Sequence, residues 1–355
     1  MTTLASLGFD SFFSDQLDGL EGSDWVPARV ASEGQSSFHL LGCRAPLGDL
    51  SGKLLHTLKR LERPVVGDWV AVTDGADRAT IQQVLARRTT LIRRAAGTAA
   101  EGQVVGVNVD VFFVVTSLNR DFNERRLERY VAAVWNSGAE PVVVLNKIDL
   151  EGDTKPMLEA IGRAAIGVPV VQVSAVSGLG LDELRSYISD GRTIGFIGSS
   201  GVGKSSLMNR LIGEDVQAVG GLREDQRGRH TTSARQLIEL PGGGLLIDTP
   251  GMRELGLLDD AGGVDVSFAD VAAFAEHCRF RDCGHTGEPG CAVDAAVAAG
   301  ELPAERLASY RKLLREIAVA QRKNDPILAG RTKQRWKAIH RGLRARKKID
   351  PKLKR

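Results

Sequence analysis

A glycine-rich segment near the middle of the 355-residue chain has the composition of a phosphate-binding loop. It fits the pattern G-x-x-x-x-G-K-[ST] and lies between an apolar run, 194–197, and a helix-like run, 205–211. Glycines let backbone N–H groups surround phosphate oxygens, and the N-terminus of the following helix attracts negative charge. We expect Lys204 to reach the β- and γ-phosphates of a nucleoside triphosphate and Ser205 to bind Mg²⁺. The predicted phosphate-binding residues are Gly198, Ser199, Ser200, Gly201, Val202, Gly203, Lys204, Ser205 and Ser206.

Two further motifs follow other apolar runs and indicate which base is bound. N-K-I-D directly follows the run 142–145 and resembles the N-K-x-D motif of GTPases. A carboxylate at its last position accepts from the N1–H and N2–H₂ groups of guanine, and adenine offers no such pair of donors. S-A follows the run 168–173 and resembles the supporting motif that contacts the guanine oxygen. The predicted base-binding residues are Asn146, Lys147, Ile148, Asp149, Ser174 and Ala175.

A third motif, D-T-P-G, begins at Asp248 and ends at Gly251, and it matches D-x-x-G. The Asp is expected to reach Mg²⁺ through water, and the Gly N–H is expected to contact the γ-phosphate. The segment 220–233 before it is rich in Gly and charge and contains Thr231 and Thr232. One of these threonines is expected to complete the Mg²⁺ shell beside the serine of the phosphate loop. We favour Thr232.

The order of these motifs is unusual. Ordinary GTPases run from the phosphate loop through D-x-x-G to N-K-x-D and S-A, whereas here N-K-I-D and S-A come first. Both blocks keep their internal spacing, which predicts a circularly permuted GTPase domain, a rearrangement that is tolerated when chain termini lie near each other. D-T-P-G then leads almost directly into the C-terminal part of the chain, on which nucleotide state could act mechanically.

Three of the four cysteines lie with a histidine within 14 residues, in the pattern C-x₄-C-x-H-x₅-C. Three thiolates and one imidazole form a closed tetrahedral set for Zn²⁺, which predicts one structural ion. The alternative is a cluster of thiols that binds no metal. His277 is adjacent to a ligand and is interpreted as a bystander, and Cys43 as a core residue of the N-terminal domain. The predicted zinc ligands are Cys278, Cys283, His285 and Cys291.

The elements around these motifs predict several domains. Short β-like runs at 25–30, 37–41, 52–55, 65–72 and 80–85 favour a five-stranded OB-like β-barrel. After residue 104, runs that are apolar on both faces alternate with helices such as 124–136, which predicts a parallel α/β domain. The remainder is mostly helical, with a long amphipathic helix over 303–323. The predicted domains are an extension (1–24), the barrel (25–95), the permuted P-loop GTPase domain (96–258), a helical zinc-binding domain (259–330) and a basic tail (331–355).

The tail carries most of the charge asymmetry. Residues 331–355 hold twelve Lys or Arg and one Asp, a net charge of +11, so the rest of the chain carries −8. A basic tail on an acidic body favours a polyanionic partner, and the alternative is a solvated tail that keeps the protein soluble. A composition of 43% hydrophobic and 26% charged residues excludes disordered and collagen-like classes. With no signal-peptide pattern or apolar run of membrane-spanning length, we expect a soluble, cytoplasmic protein without a membrane partner.

The motifs in their order, followed by C-x₄-C-x-H-x₅-C, resemble the family of ribosome small-subunit-dependent GTPases, RsgA. The resemblance covers nearly the whole chain. It implies a GTPase that hydrolyses GTP to GDP and phosphate, acts in late maturation of the 30S ribosomal subunit, binds 16S rRNA and is stimulated by the subunit. It also implies one structural Zn²⁺, Mg²⁺ with GTP, and a cytoplasmic location. No extended heptad repeat is present, so we expect a monomer.

The residue after D-T-P-G departs from the usual GTPase pattern. Met252 stands after D-T-P-G, where many GTPases place Gln, and a thioether cannot hold water. The resemblance implies His230 as the catalytic replacement; the alternative is that His230 contacts only RNA or solvent. Two other functions compete: an RNA-binding module in which hydrolysis is incidental, which Met252 favours, and an ATP-dependent small-molecule kinase, which Asn146 and Asp149 disfavour.

Overall fold

The structure, a computed structural model, describes residues 3–20, 24–34, 37–94, 102–118, 122–150, 152–213, 235–248 and 267–324. Its strands are β1 (Trp25–Glu33), β2 (Phe38–Leu41), β3 (Leu47–Leu50), β4 (Trp69–Thr73), β5 (Arg78–Val84), β6 (Thr90–Arg94), β7 (Gly102–Val107), β8 (Val111–Ser117), β9 (Glu140–Asn146), β10 (Val170–Val173), β11 (Thr193–Gly198), β12 (Gln236–Glu239) and β13 (Leu245–Asp248). Its helices are α1 (Ser11–Asp18), α2 (Gly52–Thr57), α3 (Glu124–Asn136), α4 (Lys155–Ala164), α5 (Leu181–Arg185), α6 (Lys204–Ile212), α7 (Ala269–Ala275), α8 (Ala292–Ala298) and α9 (Ala304–Asn324).

The first five strands close into a barrel in the order β1-β2-β3-β5-β4, and β4 pairs again with β1. Only β3 and β5 pair in parallel, and α2 connects β3 to the fourth strand. The predicted OB-like barrel is therefore confirmed. Its core contains Val30, Val70, Val72 and Ile81, all fully buried, and partly buried Cys43 packs against them.

The prediction of a barrel strand at residues 52–55 is wrong. Residues 52–55 form the first turn of helix α2, and the strand that the prediction missed is β3, which precedes them. The side chain of Ser51 caps this helix by accepting a hydrogen bond from the backbone N–H of Leu54 at 3.4 Å. A short run with leucines and a preceding serine fits either a strand or a capped helix, and here the cap and the neighbouring sheet decide.

The α/β domain is built on the strand order β10-β9-β8-β11-β13-β12, of which the first five are parallel and β12 is antiparallel. Alternate residues of β8 point to opposite faces of the sheet. Phe112 and Val114 belong to the core that includes α3, and Phe113 and Val115 to the core that includes α6. Burial on both faces explains the continuous apolar runs in the sequence.

The barrel and the α/β domain share hydrogen bonds. Ser32 of β1 pairs with Gln236 of β12, so the two sheets are continuous. Arg29, fully buried, adds a second connection, because its guanidinium donates to the backbone oxygens of Leu7 and Asn108 and to Thr193 Oγ1. The N-terminal segment, the barrel and the α/β domain thus pack around one buried cation.

The C-terminal helices dock on α3 through a buried ion network. Arg306, at the start of α9, contacts Glu128 of α3 at 3.1 Å and Asp270 of α7 at 3.0 Å. Its guanidinium also stacks on the ring of Phe268 at 3.9 Å. Burial raises the pKa of Glu128 although the arginine beside it acts in the other direction. Among the helices described, none combines the length and apolar character that crossing a bilayer requires.

Candidate nucleotide and metal sites

The predicted nucleotide motifs converge at one edge of the parallel sheet. N-K-I-D begins at the last residue of β9, S-A follows β10, the P-loop begins at the end of β11, and Asp248 ends β13. The strand register aligns these ends along the same edge of the sheet. Asn146 pairs with Val173 of β10 and with Ser117 of β8, and Gly198 of β11 pairs with Val115 of β8. Ligands of open α/β sheets bind at this carboxyl edge.

The P-loop requires glycine at two of its positions for reasons that the backbone shows. Gly198 has φ +144°, and a Cβ there would lie 2.2 Å from the carbonyl oxygen of Val115. Gly203 has φ +94°, and its Cβ would lie 2.2 Å from Nδ2 of Asn146. Lys204 opens α6 and donates from Nζ to the carbonyl oxygens of Gly198 and Ser199, at 2.7 and 2.6 Å. The ammonium group therefore lies against the loop, where phosphate oxygens would be bound.

The hydroxyl groups predicted to lie near the phosphates are accessible. Ser205 and Ser206 are exposed in the first turn of α6, beside half-buried Lys204. Ser200 and Gly201 form the outer part of the loop, and Val202 packs into the core. This arrangement leaves hydroxyl oxygens and the N-terminus of a nine-residue helix facing solvent.

Asn146 joins the phosphate loop to the base loop. Its side chain is 1% exposed. Nδ2 donates to the carbonyl oxygen of Val202 at 2.9 Å, and Oδ1 accepts from the backbone N–H of Ala175 at 3.2 Å. A buried amide that satisfies one group in each loop fixes their separation.

The rest of N-K-I-D continues this connection. Lys147 has a left-handed backbone, φ +67°, and its Nζ donates to the carbonyl oxygen of Gly201 at 2.7 Å. The backbone N–H of Ile148 donates to the carbonyl oxygen of Val173 at 3.3 Å. Asp149 is exposed at the end of this turn, where its carboxylate is accessible to a ligand.

The S-A loop is held by its own turn and by α6. Ser174 is fully buried, and its Oγ accepts from the backbone N–H of Ser177 at 3.0 Å, so this serine stabilises the loop. Arg210 of α6 donates to the carbonyl oxygens of Ala175 and Val176. Sequence reasoning missed Arg210, because it lies in no motif and its partners are 34 and 35 residues away.

Several predicted residues lie outside the part of the chain that the structure describes. They are His230, Thr231, Thr232, Gly251 and Met252, together with the tail 331–355. Asp248 is described: it is half-buried and pairs with Gln236 of β12. The roles predicted for the residues outside that part remain predictions.

The C-terminal cluster brings all four predicted metal ligands together. Their ligand atoms lie within 4.8 Å of one another. Nδ1 of His285 is 3.6 Å from Sγ of Cys278 and 3.5 Å from Sγ of Cys291, and these two sulfurs are 4.0 Å apart. Zn–S bonds of about 2.3 Å in a tetrahedron would separate sulfurs by about 3.8 Å, so the spacing fits a tetrahedral ion. The remaining ligand is Cys283, and the cluster can hold a metal ion.

The surroundings of the cluster suit metal binding. Burial lowers the pKa of His285, which favours the neutral imidazole that binds metals. Glu288 closes the loop by accepting from the backbone N–H groups of Thr286 and Gly284, and these bonds lower its pKa to about 2. His277 is exposed and bonds to the carbonyl oxygen of Ala273, apart from the four-residue cluster.

Comparison with known proteins relates the whole chain to one family. The sequence model of the RsgA GTPase family matches residues 84–258. A protein of Opitutus terrae, named small ribosomal subunit biogenesis GTPase RsgA, is 47% identical over 362 residues, which cover 98% of this chain and 99% of that protein. A protein of Methanosarcina acetivorans with the same name is 43% identical and covers 89% of this chain and 88% of its own length.

Solved structures give the same relationship at the level of the fold. The crystal structure of YjeQ from Thermotoga maritima superposes with a TM-score of 0.62 at 29% identity, over 83% of this chain and 99% of that one. YloQ, described as a circularly permuted GTPase, superposes with a TM-score of 0.61 at 24% identity, over 84% of this chain and 98% of that one. The predicted fold class, including the permuted GTPase domain, is confirmed.

Proposed function

The chain belongs to the RsgA GTPase family, and from this membership we propose that it hydrolyses GTP to GDP and phosphate in late maturation of the small ribosomal subunit. The observation that carries the proposal is the cluster around Asn146, in which one buried amide holds the P-loop and the S-A loop together. The relatives are named for small ribosomal subunit biogenesis, which supports this subunit as the partner.

The base is recognised at the N-K-I-D and S-A edge of the site. The exposed carboxylate of Asp149 would accept from the N1–H and N2–H₂ groups of guanine. The backbone N–H of Ala175, which donates to Oδ1 of Asn146, would also donate to the guanine oxygen. Asn146 holds both loops in place, and Lys147 connects the base loop to the P-loop because its Nζ donates to the carbonyl oxygen of Gly201. These contacts select GTP over ATP.

Phosphate binding and metal binding follow from the P-loop. Its backbone N–H groups and Lys204 would hold the β- and γ-phosphates, and Ser205 and Thr232 would bind Mg²⁺ directly. Asp248 would act through a water molecule. We propose His230 as the residue that orients the attacking water, in place of the usual glutamine. Its replacement by alanine is expected to lower subunit-stimulated kcat without changing GDP affinity.

One structural Zn²⁺ is proposed for the C-terminal cluster, because three thiolates and one imidazole are a closed zinc set. The ion would hold the loop between α7 and α8 and leave no coordination position for a substrate. The domain that contains it contacts the GTPase domain through Arg306 and Glu128.

The partner is proposed to be 16S rRNA within the subunit, bound by a monomer in the cytoplasm. The tail 331–355, with a net charge of +11, supports a polyanion. A cosedimentation assay with purified small subunits across a salt series tests this. Removing the tail is expected to weaken binding and to reduce its salt dependence by about one unit of slope for each phosphate that the tail neutralises. GDP affinity, measured as the control, is expected to stay the same, and an unchanged salt slope would show that the tail is only solvated.

A further inference from the structure

We propose that Arg210 is a positioning residue that fixes the S-A loop to the P-loop helix and thereby sets the preference for guanine. This inference rests on the proposed GTPase function. It starts from two hydrogen bonds: Nε donates to the carbonyl oxygen of Ala175 at 2.8 Å, and Nη2 donates to that of Val176 at 2.7 Å. A guanidinium that bonds to two successive carbonyls restrains the orientation of the chain as well as its distance.

Beyond Ala175, the loop that Arg210 holds is closed by bonds within itself, because the backbone N–H of Ser174 donates to the carbonyl oxygen of Leu179 and that of Gly178 to the carbonyl oxygen of Ser174. Val176 and Leu179 expose 74% and 62% of their surface, so apolar burial contributes little there. Ser174 ties the loop to itself through Ser177, and Asn146 ties it to β9 through the N–H of Ala175. The bonds from Arg210 restrain the carbonyl side of the same loop from the opposite element, α6.

Helix α6 connects the two halves of the nucleotide site. Its first residue is Lys204, and Arg210 lies six residues later, about 9 Å along the helix axis. One rigid helix therefore presents the phosphate-binding lysine at its start and the loop-holding arginine near its end. Distances within a helix change little, so the separation between the phosphate and base subsites depends on this arginine as well as on Asn146.

The consequence concerns the oxygen at position 6 of the base. The backbone N–H of Ala175 donates to Oδ1 of Asn146 at 3.2 Å, and in this proposal it also donates to the base oxygen as a shared donor. Loosening the loop then weakens the binding of every nucleotide that carries this oxygen and leaves the binding of an adenine nucleotide nearly unaffected. GDP and IDP both carry it, whereas ADP has an amino group in its place. GDP and IDP differ at the 2-amino group, which Asp149 would read. Replacing Arg210 is therefore expected to alter the ratio of the Kd values for GDP and ADP, but not the ratio of the Kd values for GDP and IDP.

The test is equilibrium binding of GDP, IDP and ADP to the full chain and to Arg210→Gln, with thermal unfolding measured for each protein. We expect the Kd for GDP and for IDP to rise together by about tenfold and the Kd for ADP to change less than about twofold, as the removal of one or two charge-assisted bonds predicts. KM for GTP is expected to rise with kcat unchanged. Arg210→Lys keeps the charge but not the forked guanidinium, so its Kd for GDP is expected to lie between those of the unchanged chain and Arg210→Gln.

Arg185→Gln is the matched control. Arg185 is an exposed arginine of α5, pairs with Asp182 at 2.9 Å, and lies shortly after the same loop in the chain. The inference is overturned if Arg210→Gln binds the three nucleotides as this control does. It is also overturned if Arg210→Gln weakens the binding of GDP and of ADP equally and lowers Tm, because Arg210 then has only a structural role. A wild-type chain that binds ADP as tightly as GDP would instead overturn the guanine assignment, and the role of Arg210 with it.

Discussion

Replacing Gly203 with alanine is expected to break the connection between the P-loop and the base loop. The residue has φ +94°, and a Cβ built on it lies 2.2 Å from Nδ2 of Asn146, closer than the 3.0 Å that real Cβ atoms keep. This amide donates to the carbonyl oxygen of Val202 at 2.9 Å and is buried. The amide must therefore move, and the carbonyl oxygen of Val202 is left without its donor.

Two costs add up at Gly203. A left-handed backbone costs alanine about 1–2 kcal/mol relative to glycine. Breaking the buried hydrogen bonds of Asn146 costs about 1–3 kcal/mol more. Gly201 is a matched control in the same loop, because it has φ +81° and an added Cβ meets no atom within 4 Å. Gly201→Ala is therefore expected to show only the first, conformational cost.

The assay is unfolding of both variants by urea, without nucleotide, followed by circular dichroism. Gly203→Ala is expected to be destabilised by about 1–3 kcal/mol more than Gly201→Ala. In an Asn146→Ala background this excess is expected to vanish, because the displaced amide is no longer there. Equal destabilisation of the two glycine variants, or an excess that survives without Asn146, would refute the proposed contact.

Other parts of the molecule make further predictions. Arg306→Met is expected to destabilise the chain by about 3–5 kcal/mol, because it leaves the carboxylates of Glu128 and Asp270 without their cation. Glu128→Gln is expected to destabilise the chain much less, and equal destabilisation of the two variants in urea unfolding would contradict this prediction. Burial raises the pKa of Glu128 in the folded chain. The stability that this carboxyl group contributes is therefore greatest below the ordinary pKa of glutamate and falls as pH rises through the raised pKa. Glu128→Gln is expected to remove this decrease when the free energy of unfolding is measured across a pH series. Cys283→Ala is expected to abolish stoichiometric zinc in metal analysis of the purified chain and to lower Tm, whereas His277→Ala keeps the metal; zinc retained by the cysteine variant would exclude Cys283 as a ligand.

The sequence was most informative where chemistry and periodicity coincide. Each predicted nucleotide motif follows an apolar run, and such runs become parallel strands whose ends share one edge of the sheet. The placement of Asn146, Gly198 and Asp248 at that edge therefore followed from position alone. Helix 124–136 was predicted with its observed bounds, and in the structure the side chain of Asn123 caps its start.

Short or long-range features could not be predicted in the same way. Residues 52–55 fit a strand or a helix locally, and the Ser51 cap together with the pairing of β3 and β5 determines the outcome. Arg210 and Arg306 act through partners more than 30 residues away, and an arginine on a helix usually faces solvent. Such contacts depend on how elements pack, which the local pattern of a single sequence does not determine.

We propose that this chain is a guanine-specific GTPase stimulated by the small ribosomal subunit. The most direct measurement is phosphate release from GTP and from ATP, with and without purified small subunits. We expect slow release from GTP alone, a marked increase with subunits, and no increase with ATP. An unchanged rate with subunits that bind the protein would contradict the account and favour an RNA-binding module in which hydrolysis is incidental.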